Sequence, residues 1–158
     1  IVTATTLIVG SAVTTSSGQV GLGTGVPRSD IDLDGSTRFK TYHESVGVVT
    51  SASNVVTLDL SSAQTFTLTV DEEILSFKLT NPPSGSTAFT VKILQDSTGY
   101  SVGIDTFNDN GGSAIPVYWP AAVTPEVTTT ASKTDIYSFM TFDGGSSLYG
   151  VVGGQNFA

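Results

Sequence analysis

The stretches Thr65-Phe66-Thr67-Leu68-Thr69-Val70, Leu75-Ser76-Phe77-Lys78-Leu79-Thr80 and Phe89-Thr90-Val91-Lys92-Ile93 alternate apolar and polar residues at every second position. A strand points successive side chains to opposite sides, so a period of two gives each stretch one apolar and one wet face. Three apolar faces in succession need an opposing sheet to cover them. Turn chemistry separates the runs: Asp71-Glu72-Glu73, Asn81-Pro82-Pro83-Ser84-Gly85, then Asn108-Asp109-Asn110-Gly111-Gly112 and Asp143-Gly144-Gly145. This spacing predicts antiparallel hairpins. Residues 136–142 are apolar at nearly every position, which suits a strand covered on both faces, with 148–152 as its hairpin partner. Residues 46–158 therefore read as an antiparallel β-sandwich, jelly-roll-like, of about seven or eight strands. Its expected core is Phe66, Leu68, Phe77, Leu79, Phe89, Val91, Ile93, Ile136, Phe139 and Met140.

The chain ahead of this region is built differently. No Phe, Tyr or Trp occurs before Phe39, and aromatic side chains supply much of a core's buried area. Short β-branched runs at 3–9, 12–15 and 31–33 are broken by Gly18, Gly21, Gly23, Gly25 and Pro27. Residues 1–45 are therefore expected to form an extended β-rich arm or shaft, ordered by pairing with other chains. Serine and threonine make 44 of the 158 residues, and no amphipathic run reaches three helical turns, so the whole chain reads as all-β.

Charge and composition narrow the function. Six Lys and Arg against fourteen Asp and Glu give a net charge of −8, which disfavours nucleic acid and anionic membrane as partners. The absence of cysteine excludes disulfides and thiolate zinc sites. No run approaches the roughly 18 apolar residues of a spanning helix, and residues 1–10 lack the basic flank of a signal peptide. A start at Ile1 is read as a processed product or the carboxyl-terminal part of a longer protein.

Candidate sites are few. Asp30-Ile31-Asp32-Leu33-Asp34-Gly35 matches the opening of a calcium loop, but Thr41 stands where the closing glutamate belongs. The alternative is a strand with Asp30, Asp32 and Asp34 on one face. His43 is the only histidine, no serine sits in a Gly-x-Ser-x-Gly elbow, and Asp71, Glu72 and Glu73 fall in a turn where they cannot face one another across a sugar. Gly21-Leu22-Gly23-Thr24-Gly25 has no following helix to complete a phosphate loop. The expectation is no enzyme activity and no organic cofactor, with calcium at Asp30, Asp32 and Asp34 as the candidate metal. Recognition is assigned to Tyr118 and Trp119, as an aromatic platform or as core, and to the polar loop around Phe107, Asn108, Asp109 and Asn110.

Residues 115–155 resemble a module at the carboxyl ends of tailed-phage virion proteins, of fibre or particle-surface type, particularly in marine and cyanobacterial phages. The likeness rests on Tyr118-Trp119-Pro120, Val123-Thr124-Pro125, Asp135-Ile136-Tyr137-Ser138-Phe139, Thr141-Phe142-Asp143-Gly144-Gly145 and Tyr149-Gly150. Gly21-Leu22-Gly23-Thr24-Gly25-Val26-Pro27 is similar to a short unit of phage fibre shafts, with Leu22 in place of isoleucine. The resemblance implies a non-enzymatic structural component of a virion: a homotrimer in contact with other virion proteins, whose head meets a host surface glycan or protein. A capsid decoration or head-fibre subunit belongs to the same class. A secreted carbohydrate-binding module using Tyr118 and Trp119 is the rival from another class.

Overall fold

The structure, a computed structural model, describes residues 13–16, 19–22, 31–33 and 40–158. The chain divides into two compact units, Ile1–Tyr42 and His43–Ala158. In the first, β1 (Val13–Ser16) pairs antiparallel with β2 (Gln19–Leu22), and β2 pairs parallel with β3 (Ile31–Leu33). The expected strand at 31–33 is thus present, with Asp32 opposite Gly21, whereas Asp30 and Asp34 lie outside the described residues.

The second unit is a two-layer all-β structure. Its strands are β4 (Val46–Val49), β5 (Ser51–Ala52), β6 (Val55–Asp59), β7 (Thr65–Val70), β8 (Ser76–Thr80), β9 (Thr87–Gln95), β10 (Phe107–Asn108), β11 (Ala114–Ile115), β12 (Val117–Tyr118), β13 (Thr134–Thr141) and β14 (Leu148–Phe157). One sheet has the order β12-β14-β13-β9-β7-β4 and the other β11-β10-β8-β6-β5. Among the described residues no helix is long and apolar enough to cross a membrane.

The sandwich stands, but its pairing corrects the antiparallel expectation. From β6 to β9 consecutive strands alternate between the sheets, so β4, β7 and β9 run parallel in one while β6, β8 and β10 run parallel in the other. This part of the chain is a flattened coil, unlike a jelly roll with its antiparallel neighbours. The connections explain it. A two-residue turn returns a strand beside itself, whereas residues 71–75 and 81–86 are long enough to cross the roughly 10 Å between sheet faces. The tight hairpin here joins β5 to β6 through Ser53 and Asn54, both at positive φ (56° and 65°). Asn54 is held by its backbone N–H to Glu72 Oε1 and its Nδ2 to the Glu73 carbonyl. In the six-stranded sheet β13 and β14 form the expected antiparallel hairpin, continued to Phe157.

Both inner faces meet in one core. Phe77 stacks on Phe107 at 5.2 Å and Phe89 on Phe139 at 5.2 Å, with Phe107 tilted against Phe139 at 4.9 Å. Each such ring pair adds about 0.5–1.5 kcal/mol beyond its area. Phe66, Leu68, Phe77, Leu79, Phe89, Val91, Ile93 and Phe139 are buried as expected. Met140 is corrected to the outer face at 39% exposure, with Ile136 only half-buried, because β13 alternates: Asp135, Tyr137, Phe139 and Thr141 point inward. Leu75 is also exposed, since the chain bends between sheets there and buries Ile74 instead.

Candidate recognition site

At Pro116 the chain passes from β11 in one sheet to β12 in the other, and pleat alternation then sends Tyr118 outward and Trp119 inward. Trp119 packs edge-on to Tyr137 (6.2 Å) and Phe139 (5.6 Å). Gly150 makes room for it, since a Cβ there would lie 2.5–2.7 Å from the indole carbons. Trp119 is therefore a core residue at 8% exposure, the core alternative of the two that the sequence left open and not the platform.

One atom of that ring is left over. Trp119 Nε1 is buried and has no acceptor, a state that costs about 1–3 kcal/mol relative to a paired donor. Other atoms of Trp119, with Val117, Tyr118, Ala122 and Thr124, line a cleft of about 170 Å³. The next residues fold into a short 3₁₀ turn, Pro120–Ala122, in which Ala121 and Ala122 both take positive φ (56° and 57°). Left-handed backbone is unfavourable for alanine. The turn is tied by Ala122 N–H to the Trp119 carbonyl (3.0 Å) and Val123 N–H to that of Pro120 (3.2 Å). Tyr118 is half exposed and tilted against Tyr149 at 5.3 Å, and Phe142 meets Tyr149 edge-on at 5.7 Å. Three aromatic rings thus form a continuous exposed run at the β12 edge.

The second expected site does not join the first. Phe107 is buried in the aromatic core and cannot anchor a ligand, because β10 adds to the five-stranded sheet and turns this side chain inward. Asn108 completes β10, and Asp109 closes its own turn: its carboxylate accepts the Ser113 N–H (2.8 Å) and its N–H reaches the Ser113 carbonyl (2.8 Å). Asn110 is exposed at the tip. Asp109 also lines a cleft with Pro82, Gly144 and Ser146, at the end of the sandwich where the chain enters through Glu44, whose Oε2 accepts from Thr65 Oγ1. The loop therefore lies at the end of the sandwich where its chain enters.

Elsewhere a buried carboxylate ties segments of the sandwich together. Asp135 accepts the Thr128 and Asn156 N–H groups (both 2.7 Å) and the Tyr137 hydroxyl (3.0 Å). Burial opposes its ionisation but is outweighed by these donors and the Thr128 hydroxyl, so its carboxyl lies below the ordinary range. Burial, then the Asp135 charge, pushes the Tyr137 phenol up. Among the described residues no three His, Asp or Glu side chains converge as metal ligands. Sequence reasoning missed the orphan indole N–H and the partnership of Tyr149 and Phe142 with Tyr118. The ladder that sets Tyr118 beside Tyr149 joins positions 31 residues apart. No protein-family model matches the chain, and no curated protein and no solved structure matches it. Fold and site together define a two-unit all-β protein with an aromatic-rimmed, uncharged cleft.

Proposed function

We propose that the chain is a non-enzymatic structural subunit of a tailed-phage particle, a fibre-type or particle-surface protein that assembles as a homotrimer and presents its sandwich to the host. The observation that carries this reading is a partition of charge. In residues 1–42, Asp30, Asp32 and Asp34 are balanced by Arg28, Arg38 and Lys40, so residues 43–158 hold the entire net charge of −8. Heads of that charge repel one another, whereas neutral β-rich segments pair without that cost. The strand that opens the sandwich, β4, sits at a sheet edge with Val46 and Val48 exposed (56% and 83%), which offers an apolar strand edge to a neighbouring chain.

Light scattering on the eluting protein tests this. The full chain is expected to run as a trimer and residues 43–158 as a folded monomer; a monomeric full chain at high micromolar concentration rejects the reading. Decoration of a capsid is the same proposal with a shell as partner. The exposed run Phe142–Tyr149–Tyr118 favours a second reading, a secreted carbohydrate-binding module, for which a monomer is the expected result.

A further inference from the structure

We infer that Asn110 is a site of spontaneous covalent modification: in the folded chain its side-chain amide deamidates by attack of the Gly111 main-chain nitrogen. Asn110 and Gly111 are the central residues of a β-turn that the Gly112 N–H closes onto the Asp109 carbonyl (3.1 Å). Such a turn bonds its first carbonyl to its fourth N–H and leaves the N–H of its third residue unused. That third residue is Gly111. It is exposed and its N–H has no acceptor among the described residues, and the Asn110 carboxamide, exposed beside it, has no partner there either. Glycine puts no Cβ in the path of the attack and gives the backbone its widest range of angles.

Water and hydroxide are the only co-reactants. Hydroxide takes the Gly111 N–H proton, the nitrogen bonds to Asn110 Cγ, the Cγ–Nδ2 bond breaks, and ammonia leaves with a proton from water. A five-membered succinimide remains. Water then opens it at Cγ, giving aspartate, or at the main-chain carbonyl, giving isoaspartate, in which the chain runs through Cβ. The other four asparagines are shielded. Asn54 donates from both its backbone N–H and its Nδ2, and Asn81 precedes Pro82, which has no N–H. The Asp109 N–H that follows Asn108 is bonded to the Ser113 carbonyl (2.8 Å), and Phe157, which follows Asn156, pairs with Thr134. Asp143-Gly144 has a similar sequence without the freedom: Gly144 N–H donates to the Gly85 carbonyl (3.0 Å), and Ser147 and Thr141 hold the Asp143 carboxylate. The product adds one negative charge beside Asp109 to a chain already at −8. Isoaspartate also lengthens the turn by a backbone atom, against a β10–β11 ladder made only of Phe107↔Ile115 and Asn108↔Ala114. None of this depends on the assembly reading.

The full chain is incubated in mildly alkaline buffer and digested, and each asparagine is followed by fragment masses that also separate isoaspartate from aspartate. Asn110 is expected to convert at least about tenfold faster than any other asparagine, to both products, at a rate that rises with hydroxide concentration. The folded chain should convert within about tenfold of the rate in guanidinium chloride. A Cβ at Gly111 would meet first the Asp109 carboxylate oxygen, at 3.3 Å, a side-chain atom that has room to yield at the exposed tip. Gly111→Ala should therefore fold and slow conversion at least about tenfold. Asn110→Gln, which keeps the amide but needs a larger ring, should stop it. Conversion to aspartate without isoaspartate overturns the inference, because direct hydrolysis then suffices. So does a folded chain slower than the unfolded one by more than about tenfold, or a rate unmoved by Gly111→Ala.

Discussion

Asp135 shows how much a single interior carboxylate organises. It gathers the 124–130 segment through Thr128, the last strand through Asn156 and its own strand through Tyr137. Asp135→Ala strands three donors at once, and we expect a loss of about 3–5 kcal/mol in urea unfolding. Phe77→Ala should cost about 3–5 kcal/mol, because the side chain is fully buried against Phe107. Its neighbour Lys78→Ala, on the other face of the strand, should stay within about 0.5 kcal/mol. Equal midpoints for those two variants would overturn the assigned register. Phe77 was legible because period two alone fixes its face. Phe107 was not: it lies in a polar run whose pattern gives no hint that two residues join a distant strand. Trp119 was half legible, since the sequence offers core or platform and the structure gives a core ring with an unpaired N–H.

At the scale of elements, the β13–β14 hairpin was readable to the turn, and the coil from β4 to β10 was not. Alternation reports which face a strand buries but carries no information about which sheet receives it, so two sets of parallel neighbours look the same as hairpins. The hairpin turn is held by Asp143, whose carboxylate accepts from Ser147 Oγ (2.6 Å), Thr141 Oγ1 (2.8 Å) and the Ser147 N–H (3.0 Å). The Ser147 and Thr141 hydroxyls hold its pKa at about 2, below the ordinary 3.8. A depressed carboxylate stabilises the fold fully above its unfolded pKa and ceases to do so as pH falls through the folded one. Asp59, lowered first by the Asn81 amide and then by Ser61, acts in the same direction. The melting temperature should therefore be flat between about pH 7 and 5 and drop between about 4 and 2. Asp143→Asn should make that drop shallower; an unchanged acid limb would mean the turn does not hold the hairpin.

For the whole molecule, charge separates the two units more sharply than composition does. If the −8 heads oppose assembly across a neutral first unit, added salt should raise the trimer fraction, because repulsion is screened over about 10 Å at 0.1 M. Assembly held by ion pairs would respond in the opposite sense. Sedimentation at about 0.05 M and 0.5 M sodium chloride measures the sign.

The coil also decides how the sandwich carries load. Glu44 and Val46 enter beside Thr65, at the start of β7, while Phe157 leaves beside Thr134, which pairs with Leu94 near the ends of β9 and β7. The two attachment points of this unit are thus at opposite ends of the strands, and tension between them runs along the strand axis. Hydrogen bonds between neighbouring strands are then sheared together, where tension applied at a single end would peel them one after another. Pulled between residues 43 and 158, the unit should give way in one high-force event, a property governed by its unfolding rate and not by its equilibrium stability.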